Sequence, residues 1–455
     1  MFFKNLLAYI DGTWTVKDIC VDYPIASVEY TPDKDRPYVP HSFLDTQEEY
    51  VWMPGFYDTH IHGIDGHDFS EGTLEAYAAI TKKLGEQGVA YCAATYVSMD
   101  LDELKKALTA LDSFVVTAKE KTSNTKPMQQ EIAAQILSVH LEGPFIAKDY
   151  KGAHAEHTLQ ETISLEQFLE IIKAAPHIKD WKITLAPELP GALEFIEQTR
   201  GLMVNDEPIG VHVFIGHTNA ESSIVQQAFE KGAEGFTHLG NANGETAHRQ
   251  GTVSSLQSIQ SNVVRYALEQ GKIPVELIVD DQHLSSEFIA FVYEHVRNNV
   301  LLISDALSPA GMKDGEYRLG SLAVLKEGSR IVLKDNPEKL AGSATLLPEL
   351  AANFLEMLLR AGIESQDCWN ALYHALVVNP RNTSITDINS FDDKRNFVIL
   401  DKKTGKLMLS GCNGVVTQHQ PFTVPPKQDS QLGFFEQSES VKTDEEPHLM
   451  QKGVG

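Results

Sequence analysis

Six residues of this chain are of types, and at spacings, that could serve one piece of chemistry. His60 and His62 close the run Pro54-Gly55-Phe56-Tyr57-Asp58-Thr59-His60-Ile61-His62-Gly63, and alternation along a strand sends both imidazoles to the same side. Neutral imidazole is a good ligand for zinc and similar divalent ions, although a pair makes at most half a site. Glu142 ends Ser138-Val139-His140-Leu141-Glu142, just before a Gly-Pro turn. His217 and His238 each follow a short apolar run, in Gly216-His217-Thr218-Asn219 and Thr237-His238-Leu239-Gly240-Asn241-Ala242. Asp305 follows Leu301-Leu302-Ile303-Ser304, where a carboxylate can accept a proton from water held at a centre. Taken singly, each has a plainer reading: hydrogen-bonded histidines at strand ends, a capping or salt-bridged glutamate, an N-cap aspartate. Six such coincidences at strand ends point instead to a metal site built for hydrolysis.

The elements that must position these residues form a repeating pattern. Short β-rich apolar runs at Val51 to Tyr57, Tyr91 to Val97, Ile136 to His140, Ile183 to Ala186, Val211 to Ile215, Gly235 to Thr237, Val275 to Val279 and Val300 to Ile303 alternate with helical patterns such as Thr73 to Gln87, Ala220 to Lys231 and Ser285 to Arg297. Eight strands are the number that a closed barrel requires, so the fold class is α/β, a (β/α)8 TIM barrel over residues 51–379. The six residues fall at its C-terminal strand ends, the face where barrel active sites lie. Residues 1–50 and 380–424 carry strand-like pieces (Ser27 to Tyr30, Phe397 to Leu400, Lys406 to Leu409) and are expected to pair into a small β-sandwich domain made from both ends of the chain. Residues 425–455, rich in Gln, Ser, Glu and Lys, read as a flexible C-terminal extension.

Composition narrows the function further. The chain has 455 residues, 42% hydrophobic and 22% charged, enough for a sizeable core. Its formal charge of −25 disfavours nucleic acid and anionic membranes as partners, and a phosphorylated small molecule would need a local basic pocket. Four cysteines without CxxC spacing argue against a disulfide framework and a cysteine metal site. No apolar run reaches membrane-span length and the N-terminus lacks the marks of a signal peptide, so a cytoplasmic location is expected.

The residues resemble the amidohydrolase superfamily and, within it, the N-acetylglucosamine-6-phosphate deacetylase family. The segments that carry the resemblance are PGFYDTHIHG (54–63), HLEGPF (140–145), KGAH (151–154), LAPE (185–188), GHTNA (216–220), THLGNA (237–242), IVD with His283 shortly after, SDA (304–306), GMKDGEYRLG (311–320) and LAGSA (340–344), in the family's order over nearly 300 residues. The resemblance implies that Glu142, His217 and His238 hold the principal metal and that Asp305 is the general base and acid. His60 and His62, a pair that varies in the family, would hold a second ion, giving one or two divalent ions per subunit: zinc, with iron, manganese or cobalt also suited to the ligands. It implies that His154, following Ala153, contacts the sugar or polarises the acetyl carbonyl. It further implies that Asn241, Ala242, Arg249 and His283 bind the phosphate of a small amino-sugar phosphate, the Arg and His coming from the neighbouring subunit of a homodimer. The expected reaction is deacetylation of N-acetylglucosamine 6-phosphate by metal-activated water. The alternatives are the galacto epimer or another N-acetylated sugar, another hydrolase of the scaffold, and a non-catalytic sugar-phosphate-binding relative; cyclic-amide hydrolases are disfavoured because Glu142 stands where they use a carboxylated lysine. Departures from the family fall at Gly240, at Asn243-Gly244-Glu245 and at Asp281-Gln282-His283-Leu284, and bear on the phosphate end of the site.

Overall fold

The computed structural model describes residues 2–10, 13–20, 43–45, 47–124, 132–244, 255–259, 262–385, 393, 396–413 and 415–420. Within them, strands β1 (Phe56–Ile61), β2 (Val89–Val97), β3 (Gln135–Glu142), β4 (Asp180–Leu185), β5 (Gly210–Ile215), β6 (Gly235–Phe236), β7 (Val275–Leu277) and β8 (Val300–Leu302) pair in parallel, each with its neighbour in the chain. The ring closes through the backbone: Asp305 N–H donates to the His60 carbonyl at 2.9 Å, and the N–H groups of His62 and Gly63 donate to the Ala306 carbonyl at 2.9 and 3.0 Å. A helix follows each strand: α1 (Leu74–Glu86), α2 (Leu101–Asn124), α3 (Leu165–Ile172), α4 (Ala192–Thr199), α5 (Ser222–Lys231), α6 (Asn262–Gln270), α7 (Ser286–Val296) and α8 (Leu347–Arg360), and α9 (Ser365–Tyr373) and α10 (Asn379–Asn382) come after the last of these.

Local sequence accounts for these helices. Thr73 and Ser285 cap α1 and α7 by accepting the N–H groups of Ala76 and Phe288, which satisfies donors that the first turn leaves open. The buried face of α7 reads Phe288, Ile289, Val292, Tyr293, Val296, a 3.6-residue stripe whose larger apolar members each stabilise by roughly 1.5–3 kcal/mol on leaving water. Among the described residues no helix is long and apolar enough to cross a membrane.

The first expected strand is in fact two. Tyr50–Pro54 joins the terminal sheet and Phe56–Ile61 enters the barrel, the backbone changing partners at Gly55, whose N–H donates to Asn396 while that of Phe56 donates to Gly88. One continuous apolar run hides that switch because both strands are buried. The terminal segments form a seven-stranded sheet in the order Thr13–Cys20, Phe2–Ile10, Tyr50–Pro54, Phe397–Asp401, Leu407–Cys412, Val415–Gln418, with Phe43–Asp45 also on Phe2–Ile10. Phe3, Leu6, Tyr50, Phe397, Ile399, Met408, Leu409 and Val416 make its core. The expected strand at Ser27 to Tyr30 and the extension at 425–455 lie outside the described residues.

A second feature has no counterpart in the strand reading. After β8, Gly315–Leu319, Leu322–Glu327, Arg330–Leu333 and Asn336–Ser343 form a four-stranded antiparallel sheet. Its Leu319, Val324 and Ile331 pack with Val97, Ala153 and Leu307 from the tops of the barrel, and Ser343 exchanges backbone hydrogen bonds with Asp305 and Leu307. The segments GMKDGEYRLG and LAGSA are therefore parts of a structure that braces the Asp305 rim.

Candidate metal centre

The six residues singled out by type and spacing converge on the C-terminal mouth of the barrel. Oε1 of Glu142, at the tip of β3, lies 3.0 Å from His217 Nε2 and 2.9 Å from His238 Nε2. Oε2 lies 3.0 Å from His62 Nε2 and 3.3 Å from His154 Nε2. Asp305 Oδ1 faces His62 Nε2 at 3.3 Å and His60 Nε2 at 3.4 Å. The donor atoms fall into two groups, Glu142 with His217 and His238, and His60 and His62 with Glu142 and Asp305, each spanning less than 4.8 Å. All are buried.

The histidine tautomers are set from behind. His217 Nδ1 donates to the Tyr150 carbonyl at 2.8 Å, and His238 Nδ1 donates to that of Asn241 at 3.0 Å. Each ring has then spent its one neutral-state hydrogen, so both Nε2 lone pairs aim at the same carboxylate oxygen. Lone pairs facing an anion at such distances repel unless a cation lies between them, and two imidazoles with one carboxylate are a donor set suited to zinc and similar ions. The residues present therefore fit a divalent cation.

Electrostatics point the same way. Burial alone would lower the pKa of His60, but Glu142 and Asp305 outweigh it and raise it to about 9. His62 likewise rises to about 10 against its burial, through hydrogen bonds and charge from Asp305 and Glu142. Both carboxylates respond in kind: although burial would raise them, Glu142 is held well below the usual range by the charge of His60 and by the hydrogen bond from His154, and Asp305 is lowered by His60 and His62. Two ionised carboxylates thus draw positive charge to the centre.

His154 behaves differently. Burial lowers its pKa to about 4 despite Glu142, and its Nδ1 accepts the Ser98 backbone N–H at 3.2 Å with the Ser98 hydroxyl at 2.8 Å. The ring is neutral with its hydrogen on Nε2, turned into the site. Gly143 makes this arrangement possible: it sits at φ +79, and a Cβ there would stand 2.1 Å from the Ser98 hydroxyl oxygen.

Backbone strain gathers here as well. His217, His238 and Asp305 have φ of 50°, 28° and 47°, joined by Ala242 at 51° and Asp281 at 60°. Non-glycine residues at such φ cost of order 1–3 kcal/mol each, which the surrounding structure must impose.

Ala153 lies buried against the inserted sheet beside His154. Asn241 and Ala242 follow His238 in the β6 loop, where Asn243 Oδ1 accepts the Gly240 N–H at 3.1 Å. Gly240 sits at φ +89, where a Cβ would meet Phe288 at 2.8 Å. His283 Nδ1 is 2.8 Å from Asp280 Oδ2, which also accepts from the Ser343 hydroxyl at 2.9 Å. Asp280 is held low by His283 and by backbone N–H groups, against the effect of its burial. Arg249 lies outside the described residues.

Four residues beside these groups escaped the sequence reading: Ser98 against His154, His140 and Glu276 against His60, and Lys182, which pairs with Glu276. Lys182 and Glu276 had a readable signal, since Trp181-Lys182-Ile183 and Val275-Glu276-Leu277 each set one charge inside an apolar barrel strand. Ser98 had none, because its role depends on a loop fold.

No family model matches the chain. It is 29% identical over 296 residues to an N-acetylglucosamine-6-phosphate deacetylase of Vibrio furnissii, spanning 65% of this chain and 66%, just under two thirds, of that one. It is 26% identical over 319 residues, 70% of this chain and 76% of the relative, to an N-acetylgalactosamine-6-phosphate deacetylase of Escherichia coli O157:H7. The chain is a homologue of the N-acetylglucosamine-6-phosphate deacetylases. A solved structure of that enzyme from Mycobacterium smegmatis, in complex with N-acetyl-D-glucosamine-6-phosphate, superposes with a TM-score of 0.70 at 21% identity, over 91% of this chain and 98% of that one. This likeness establishes the shared fold, a barrel with a sheet from both termini. The similarity to these deacetylases indicates an enzyme of amidohydrolase type.

Proposed function

We propose that this chain deacetylates N-acetylglucosamine 6-phosphate, releasing acetate and glucosamine 6-phosphate. The observation that carries the reading is the meeting of two fixed Nε2 lone pairs, those of His217 and His238, on Glu142 Oε1. These three residues would hold a divalent ion, which supplies Lewis acidity and lowers the pKa of water from ~16 towards ~7. Asp305, ionised and facing the centre, takes a proton from the attacking water. His154 Nε2–H donates to the acetyl oxygen as charge builds there. Protonated Asp305 then gives its proton to the departing sugar nitrogen, so water ends divided between acetate and amine. Asn241, Ala242, Arg249 and His283 are assigned to the phosphate, with Arg249 and His283 supplied across a homodimer, and Ala153 to the sugar.

The test is acetate release from N-acetylglucosamine 6-phosphate, with and without a chelator, alongside the unphosphorylated sugar. Chelator-sensitive release that needs the phosphate supports the reading; release unaffected by stripping metal ends it. The galacto epimer is the second reading, favoured by the Escherichia coli relative, and the same assay with that sugar separates the two.

A further inference from the structure

Beneath the strand tips, the barrel floor is charged where such barrels are filled by Val, Ile and Leu. Lys182 on β4 ion-pairs with Glu276 Oε1 on β7, across the barrel interior. Lys182 Nζ also donates to the Thr59 carbonyl at 3.4 Å, and the Thr59 hydroxyl donates to Glu276 Oε1 at 3.4 Å. The other oxygen, Glu276 Oε2, faces His60 Nδ1 at 3.6 Å. Neither of those two atoms has a hydrogen-bond partner among the described residues. On the opposite edge of the ring, His60 Nε2 faces Glu142 Oε1 at 3.5 Å and Asp305 Oδ1 at 3.4 Å. His140 packs edge-on to His60 at 4.4 Å and is itself fixed by Thr95 and Thr184. The Lys182 and Glu276 side chains are 5% and 0% exposed.

Taking two charges out of water carries a penalty that apolar packing avoids, so stability alone does not account for the pair. A histidine that ligates a metal commonly donates its other ring N–H to a carboxylate, which fixes both tautomer and orientation. We propose that Glu276, held by Lys182, is a positioning residue: it accepts the Nδ1–H of His60 and so aims His60 Nε2 at a second cation position bounded by His60, His62, Glu142 and Asp305. This rests on the metal-centre reading above, and the test separates the two.

Wild-type full-length chain equilibrated with Zn2+, or with Co2+ for absorption spectra, is expected to hold two ions. The double variant Lys182→Met/Glu276→Leu removes the pair without stranding a charge. It should keep the first ion, bind the second about 10–100-fold more weakly, and lose the second component of the cobalt spectrum. Lys182→Met/Glu276→Gln restores a neutral acceptor to His60 and should recover much of the second affinity. If the Leu variant does not fold, Glu276→Asp, which keeps the charge but shortens the reach to His60, takes its place with the same expectation. A wild-type chain holding no ion sinks the metal centre as a whole. A wild-type chain holding one ion overturns this inference alone, as do two ions at wild-type affinity in the Leu or Asp variant, or a Gln variant no better than the Leu variant.

Discussion

Replacing Asp305 by Asn separates proton transfer from binding of the principal ion. The amide has nearly the shape of the carboxylate, and the backbone bonds that hold residue 305, from its N–H to the His60 carbonyl and from Ser343 N–H to its own carbonyl, remain available. The negative charge and the basic oxygen facing His60 and His62 at 3.4 and 3.3 Å are lost. The donors proposed for the principal ion, Glu142, His217 and His238, do not include Asp305. Loss of a positioned general base lowers rates ~10²–10⁴-fold, which at about 1.4 kcal/mol per decade is about 3–5.5 kcal/mol of transition-state stabilisation. The expected result is therefore a kcat down by that factor, KM little changed, and the principal ion retained. Elemental analysis of the purified variant beside steady-state acetate release measures both. Turnover within about tenfold of wild type would refute the role given to Asp305, and disappearance of the principal ion would show that Asp305 belongs to its ligand set.

Glu142→Gln should act the opposite way, because it removes the anion on which His217, His238 and His62 converge. Metal content and acetate release are expected to fall together, and a variant that keeps a full ion complement would show that Glu142 is no ligand. Far from the mouth, His212 lies between Asp180 Oδ1 at 3.0 Å and Glu234 Oε2 at 2.7 Å. Burial would lower its pKa, but the two carboxylates outweigh it and raise it to about 10. A histidine raised on folding stabilises fully below its unfolded pKa, near 6.5, and loses that contribution as pH climbs towards the folded value. The difference in urea midpoint between wild type and His212→Gln should therefore be largest at pH 6 and shrink by pH 10; a difference flat across that range would show that the ion pairs contribute nothing.

Local pattern made a large part of this molecule legible. Barrel strands β2 to β8 and helices such as α1, α5 and α7 follow from apolar periodicity and caps, both properties of a few consecutive residues. The strand-end positions of His60, His62, Glu142, His217, His238 and Asp305 follow for the same reason, since a barrel delivers strand ends to one face. The inserted sheet went unread because its short, half-exposed strands alternate weakly, and its core is completed by Val97, Ala153 and Leu307 from distant parts of the chain.

By itself, then, the sequence determined which residues would share the mouth of the barrel, because side-chain period and strand count are local quantities that add up to a closed ring. Tertiary structure alone decided how those residues are poised: which ring nitrogen of His217 or His238 carries hydrogen, which way His154 faces, and what stands behind His60. Those outcomes depend on carbonyls, hydroxyls and carboxylates brought from other strands, such as Tyr150 to His217, Ser98 to His154 and Glu276 to His60. Hydrogen bonds and charges act over a few ångströms in space whatever the separation along the chain, so only the fold can say which groups they join.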